Sequence, residues 1–158
     1  MIRVLFVCLG NICRSPSAEG VLRARVTQAG LAHRISIDSA GTGAWHIGEP
    51  PDPRAQQAAA ARHIDISGQR ARQISQADFD AFDYILGMDH QNLSHLKKLR
   101  PHSQQKSAKL GLFLEYANTQ HRDVPDPYYG GREGFDLMLN LIEEAAEHFL
   151  QHLQEQLR

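Results

Sequence analysis

Along the chain, short apolar runs rich in β-branched residues alternate with longer stretches in which apolar positions recur every three or four residues. Ile2 to Val7 is such a run, broken only by Arg3, and has the pattern of a strand covered on both faces. Gly10 and Asn11, which tolerate unusual backbone dihedrals, then interrupt it. Pro16 suits the first position of a helix, and Ala18, Val21, Leu22, Val26 and Ala29 follow at helical spacing before Gly30. Residues 2–29 therefore read as strand, tight loop and helix. Arg34 to Ser39 predicts a second strand, with Ala40-Gly41-Thr42-Gly43 leading into a loop that carries Trp45 and a Pro50-Pro51-Asp52-Pro53 corner. An alanine-rich helix is expected over Pro53 to His63, a third strand over Phe82 to Met88 and a helix over Asp89 to Leu99. Lys109 to Leu114 reads as a short fourth strand. Gly134 to Leu153 reads as a long covering helix with Phe135, Met138, Leu139, Ile142, Ala146, Phe149 and Leu150 on one face. Strands alternating with helices imply an α/β fold in which a parallel sheet is covered by helices on both sides.

Composition narrows the class. At 158 residues, one domain spanning residues 1–158 is expected, large enough to bury a core without staples. The chain has 17 Lys+Arg against 18 Asp+Glu, a formal charge of −1, and its basic residues are dispersed. That argues against nucleic acid as a partner, because phosphate-backbone binding draws on clustered cations. The apolar run near the start is too short for a signal peptide or a membrane span, so no membrane association and a cytoplasmic location are expected. Cys8 and Cys13 alone cannot assemble a disulfide framework or a four-thiolate zinc site, and no metal or cofactor is expected.

The loop after the first strand carries the chemistry. Cys8 stands at the strand's carboxyl end, and Arg14 lies six residues on, where the helix begins. In an open α/β sheet ligands bind at that edge. A loop curling back there, Leu9-Gly10-Asn11-Ile12-Cys13, can aim successive backbone N–H groups at one centre, and the helix adds its positive end. The result is a nest for phosphate or another tetrahedral oxyanion, with the Arg14 fork able to take two of its oxygens. A free thiol, with a reference pKa of ~8.5, is mostly protonated at neutral pH, but the groups that attract phosphate also favour the thiolate. Ser15 can steady it with a hydroxyl hydrogen bond. A Walker-type nucleotide loop is excluded, because its second glycine and its lysine are missing.

Cys8-Leu9-Gly10-Asn11-Ile12-Cys13-Arg14-Ser15-Pro16 resembles, nearly letter for letter, the phosphate loop of the low-molecular-weight protein tyrosine phosphatases. The resemblance extends through Ser39-Ala40-Gly41-Thr42, Trp45, Pro51-Asp52-Pro53-Arg54, Ala71-Arg72-Gln73-Ile74 and Asp126-Pro127-Tyr128-Tyr129. It implies a three-layer sandwich with a four-stranded parallel sheet, and hydrolysis of protein phosphotyrosine and small aryl phosphates without a metal. By the same resemblance Cys8 is the nucleophile and Arg14 the phosphate clamp. Asn11 holds the loop's strained shape, Ser39 and Arg72 support the loop, and Ser15 aids thiolate departure. Asp126, stiffened by Pro125 and Pro127, matches the family's general acid, with Asp123 as a local rival. Trp45 by this resemblance supplies a wall for an aryl ring, the Tyr128-Tyr129 pair reads either as a further wall or as ordinary loop packing, and Ile12 agrees with tyrosine-directed members. Many members carry a histidine where this chain has Gln69. Cys13 reads either as a packed small side chain or as a thiol that captures oxidised Cys8. Partners are expected to be phosphotyrosine-containing proteins, with the enzyme a monomer or weak dimer.

Two other readings compete. A thiol-dependent arsenate reductase of the same fold would relay oxidation to downstream cysteines, and none follows Cys13. A non-catalytic oxyanion-binding module would need neither a nucleophile nor an acid. His148 and His152 have metal-compatible spacing, but they lie on a polar helix face beside glutamates.

Overall fold

The computed structural model describes residues 1–102 and 108–158. Four parallel strands form one sheet in the order β2-β1-β3-β4, with β1 at Ile2–Cys8, β2 at Ile35–Gly41, β3 at Tyr84–Gly87 and β4 at Lys109–Leu112. Helices α1 (Arg14–Gln28), α2 (Pro53–Ala60) and α5 (Arg132–Gln156) cover one face. The short α3 (Asp78–Ala81) and α4 (His90–Leu99) cover the other, completing a three-layer α/β sandwich. No helix among the described residues is long and apolar enough to cross a membrane.

Alternation along β1 explains the two layers. Val4, Phe6 and Cys8 join the core beneath α1 and α5, while Leu5 and Val7 join the core with Phe79 and Leu96 on the opposite face. Phe6 meets Phe113 edge-on at 4.7 Å, and Phe113 in turn meets Phe149 of α5. The 25-residue α5 buries Phe135, Met138, Leu139, Ile142, Ala146, Phe149 and Leu153 as one stripe.

Element boundaries differ from the expected ones for local reasons. Strand β2 runs on through Ala40 and Gly41, which pair with Val7 and Cys8, and Gly41 also exchanges backbone bonds with the 72–74 segment on its outer side. Helix α1 begins at Arg14 rather than Pro16, which therefore sits third, where its missing N–H costs no intrahelical bond. Helix α2 stops at Ala60 because His63 turns left-handed at φ 64°, with Ile64 N bonded to Ala59 O and His63 N to Ala60 O, both at 3.0 Å. The fourth strand ends at Leu112 and continues as a single 3-10 turn, Phe113–Tyr116. The hydrophobic pattern does not predict α3, and α5 is longer at both ends than the pattern suggests.

Strand register aligns the ends that carry the loops. Cys8 pairs with Gly41, Val7 with Gly87, and Gly87 with Leu112. The carboxyl ends of all four strands therefore lie at one edge of the sheet.

Candidate active site

At that edge a cavity of about 420 Å³ is lined by Cys8, Leu9, Gly10, Ile12, Cys13, Arg14, Trp45, His46, Asp126, Tyr128 and Tyr129. Its floor is the loop from Cys8 to Ser15. Groups around the loop donate to its carbonyls. Thr42 N donates to Cys8 O, Gly43 N to Leu9 O, Asp52 N to Ile12 O, and the Ser17 hydroxyl to Cys13 O. The backbone N–H groups of Gly10, Asn11, Ile12 and Cys13 meet no protein acceptor among the described residues. Asn11, Ile12 and Cys13 are buried. Donors in a buried loop left without an acceptor are costly, so a loop of this kind can receive an anion.

Asn11 takes a left-handed backbone conformation at φ 56°. For a residue other than glycine this costs about 1–2 kcal/mol, and it is held in place by bonds on every side of the amide. Arg72 N donates to Asn11 Oδ1 at 3.0 Å, which fixes the amide's orientation. Asn11 Nδ2 donates to Ser39 Oγ at 3.0 Å and to Ser15 Oγ at 2.8 Å. The Ser39 hydroxyl in turn donates to Glu19 Oε1 at 2.7 Å. Ser15 Oγ, already an acceptor from Asn11, lies 3.0 Å from Cys8 Sγ, where either atom can donate, and can also donate to Ala40 O at 3.4 Å. When Cys8 is a thiolate it can only accept, and the Ser15 hydroxyl is then the donor beneath it. Burial pushes the Glu19 carboxyl upward, and its bonds to Ser39 and Arg23 oppose that.

Arg14 is buried and firmly placed. Its Nη1 donates to Asp89 Oδ2 at 2.6 Å and to Val124 O at 3.1 Å. Both Nη1 protons are thereby used, which leaves the Nε and Nη2 edge for a bidentate anion. Burial works against the charged guanidinium, but the Cys8 sulfur, the Asp89 hydrogen bond and charge, and the charge of Asp126 outweigh it and raise its pKa. Asp126 stands above, 3.7 Å from Arg14 Nη2, half-exposed, and Tyr128 N donates to its Oδ1 at 3.1 Å. Asp123, the rival acid, lies outside the cavity lining. It bonds instead to the backbone N–H and ring of His90 at the start of α4.

The two thiols of the loop differ. Cys13 is pushed far up by burial first, then by the charges of Asp52, Cys8 and Asp126, with Arg54 opposing. It therefore remains a neutral thiol while Cys8 faces Ser15.

Trp45, Tyr128 and Tyr129 form the walls. The Trp45 ring lies across Gly43, where a Cβ would stand 1.8 Å from it, so this wall depends on the missing side chain. Arg54, anchored on Asp52, lies 5.4 Å over the Tyr128 ring and backs that wall from outside. Asn11 and Ser15 are off the cavity, beneath its floor, and their side chains brace the loop rather than line it. Ser39 and Arg72 stand further out in the same network, Arg72 also pairing with Asp38 and Asp78. Gln69 does not enter it. Its Nε2 donates to Pro16 O at 3.0 Å, its Oε1 is buried with no partner among the described residues, and Glu19 closes the network from the other side. His148 bonds back to Glu144 O, and His152 faces the Tyr84 hydroxyl at 3.1 Å.

Three participants are not evident from the sequence. Asp89 holds Arg14 while also capping α4 through Asn92. His46 lines the cavity beside Trp45, and Glu19 anchors the Ser39 end of the network. Asp89 leaves a signal, an Asp-x-x-Asn helix start directly after a strand at the ligand-binding edge.

The family model described as low molecular weight phosphotyrosine protein phosphatase matches residues 3–158. A Streptomyces coelicolor protein named low molecular weight protein-tyrosine-phosphatase is 46% identical over 157 residues, covering 98% of this chain and 94% of the relative. A Schizosaccharomyces pombe low molecular weight phosphotyrosine protein phosphatase is 47% identical over 155 residues, covering 96% and 97%. Among solved structures, a protein tyrosine phosphatase from Entamoeba histolytica superposes with a TM-score of 0.92 at 34% identity, covering 100% of both chains.

Proposed function

The chain belongs to the low molecular weight phosphotyrosine protein phosphatases, and within that family we propose that it hydrolyses protein phosphotyrosine and small aryl phosphates through a phosphocysteine on Cys8. The Cys8 thiolate attacks phosphorus, the bond from phosphorus to the phenolic oxygen breaks, and Asp126 gives its proton to the departing phenolate. Arg14 and the loop N–H groups hold the non-bridging oxygens throughout, and their hold is worth most as charge shifts in the transition state. In the second step the Asp126 carboxylate takes a proton from water, water oxygen bonds to phosphorus, and the phosphorus–sulfur bond breaks to release inorganic phosphate. Ser15 then donates to the returning thiolate.

The observation that carries this reading is the loop itself, with buried N–H donors and the free edge of Arg14 gathered around a thiol that a hydroxyl faces from below. Trp45, Tyr128 and Tyr129 favour a flat ring, which supports phosphotyrosine over the shorter phosphoserine. In the same reading Cys13 has a separate task, as the thiol that condenses with Cys8 sulfenic acid to give a disulfide and water.

The test presents phosphotyrosine, phosphoserine, phosphoarginine and arsenate to the purified protein in chelator. Phosphate release from phosphotyrosine well above that from phosphoserine and phosphoarginine is expected. Faster release from phosphoarginine would reassign the substrate, and thiol-dependent arsenate reduction would reassign the reaction. Binding of phosphate without release from any ester would leave a binding module.

A further inference from the structure

Seven large apolar side chains are exposed among the described residues, and five of them, Leu9, Trp45, Ile47, Tyr128 and Tyr129, belong to the segments that form the floor and rim of the cavity. Four of the five line the cavity. Ile47 does not; it is 58% exposed and packs into neither hydrophobic core. An apolar side chain left in water on a loose loop needs no explanation, but this one is not on a loose loop.

Glu49 N donates to His46 O at 2.8 Å, closing a four-residue turn in which Ile47 is second and Gly48 third. Gly48 has φ 85°, the left-handed value that a type II turn demands at that position and that glycine supplies without strain. The His46 and Glu49 side chains meet across the turn. The turn is also tied at two points to one residue, with Gly48 N donating to Ala71 O at 2.8 Å and Ala71 N to Glu49 O at 2.9 Å. The next residue, Arg72, gives its N–H to Asn11 in the catalytic loop. A continuous set of hydrogen bonds therefore fixes the apex at Ile47 relative to the loop that holds Cys8.

We propose that Ile47 is a specificity-determining residue, the outer part of an apolar shelf with Leu9 and Trp45 that takes an apolar side chain next to the phosphotyrosine of a protein substrate. The proposal rests on the phosphotyrosine reading of the cavity. The phosphate loop closes the cavity at its floor, so a polypeptide whose phosphotyrosine occupies it must cross the rim. Neighbouring residues lie only about 3.3–3.6 Å further along the chain each. On the turn the Glu49 carboxylate is engaged by the His46 ring, so it is tied to the turn itself, and the apex presents the apolar side chain of Ile47. Because the turn is already rigid, little ordering entropy opposes the contact.

The test compares two phosphotyrosine peptides, one with leucine on both sides of the phosphotyrosine and one with serine, together with p-nitrophenyl phosphate. Wild type should favour the leucine peptide by about five-fold in kcat/KM, mainly through KM, a value below the discrimination typical of an enclosed pocket. Ile47→Ser should remove that preference and Ile47→Leu should keep it, with p-nitrophenyl phosphate hydrolysis unchanged in both. Absence of the preference in wild type, its survival in Ile47→Ser, or an equal loss on all three substrates would each overturn the proposal. A preference that changes with enzyme concentration would mean that a second copy covers the shelf, and would overturn it too. Failure of wild type to hydrolyse p-nitrophenyl phosphate or either peptide would instead bring down the phosphatase mechanism.

Discussion

Between Cys8 and Ser15 the polar side chains are buried and held by two or more partners, whereas Trp45 and Tyr129 on the rim above stand 70% and 94% exposed. The floor stores strain at Asn11 and leaves N–H donors without protein acceptors among the described residues, while Arg72, Ser39 and Ser15 hold the Asn11 amide and Asp89 holds Arg14. The rim carries aromatic and apolar surface on loops, and in the proposed mechanism its one reacting group is Asp126. This division is what the two tasks of the proposed reaction require. Stabilising a transferring phosphoryl group needs donors that do not reorganise during the reaction, while accepting different polypeptides needs surface that tolerates variation.

The largest expected effect comes from the floor. Cys8→Ser should lower phosphotyrosine turnover by roughly 10⁴-fold or more, because a hydroxyl cannot supply the thiolate, while phosphate or vanadate still binds. Arg14→Lys should lower it by roughly 10²–10³-fold, since a single ammonium cannot use both Asp89 and a bidentate oxyanion. Steady-state rates and oxyanion inhibition constants measure both. Metal-independent turnover near the wild-type rate in either variant would mean that the buried floor is not the reacting part.

A smaller effect, and one that depends on the substrate, is expected where floor and rim meet. Asp126 hangs from an exposed segment but lies 3.7 Å from Arg14. Asp126→Asn should slow phosphoenzyme formation by roughly 10²–10⁴-fold for esters of weakly acidic phenols, and by less for esters of more acidic ones. A series of aryl phosphates of graded leaving-group pKa reads this out directly. A loss of the same size across the series would make Asp126 a support for Arg14 rather than an acid.

How far each region is legible in the sequence depends on sequence separation. Cys8, Asn11, Arg14 and Ser15 lie within one strand-loop-helix unit, so their spacing alone suggests an oxyanion nest. Asp89 reaches Arg14 across 75 positions, and taken by itself it reads as an ordinary helix cap, which it also is. Glu19 lies inside α1 among apolar neighbours, and nothing in the helical period says that its carboxylate meets Ser39 of the next strand. Composition alone would end strand β2 at Ser39, because Ala40-Gly41-Thr42-Gly43 has the character of a turn. Pairing with Cys8 on one side and with the 72–74 segment on the other overrides that composition. Rim residues such as Trp45 are legible only by resemblance, and the rigidity of the turn after it becomes visible only through Ala71.

The smallest expected effect on turnover separates two residues of the floor itself. Cys13 lines the cavity and contributes a backbone N–H to the nest, yet its side chain takes no part in the network that joins Asn11, Ser15, Ser39 and Cys8. Its pKa is raised, chiefly by burial and then by neighbouring negative charge, so it should not compete with Cys8 as nucleophile, and Cys13→Ser should change kcat little. The difference should appear after oxidation. Peroxide converts the Cys8 thiolate to a sulfenic acid, which goes on to irreversible acids unless a thiol captures it. Cys13 can do so by forming a disulfide and releasing water, and two equivalents of external thiol then restore both cysteines. A raised pKa makes Cys13 a slow nucleophile, so its advantage must come from proximity inside one loop. Dilute peroxide followed by dithiothreitol should therefore return wild type to activity and leave Cys13→Ser largely inactive. Equal recovery in both would leave Cys13 as a small packed side chain, and the whole floor, its backbone aside, would then serve the reaction through Cys8, Arg14 and their braces alone.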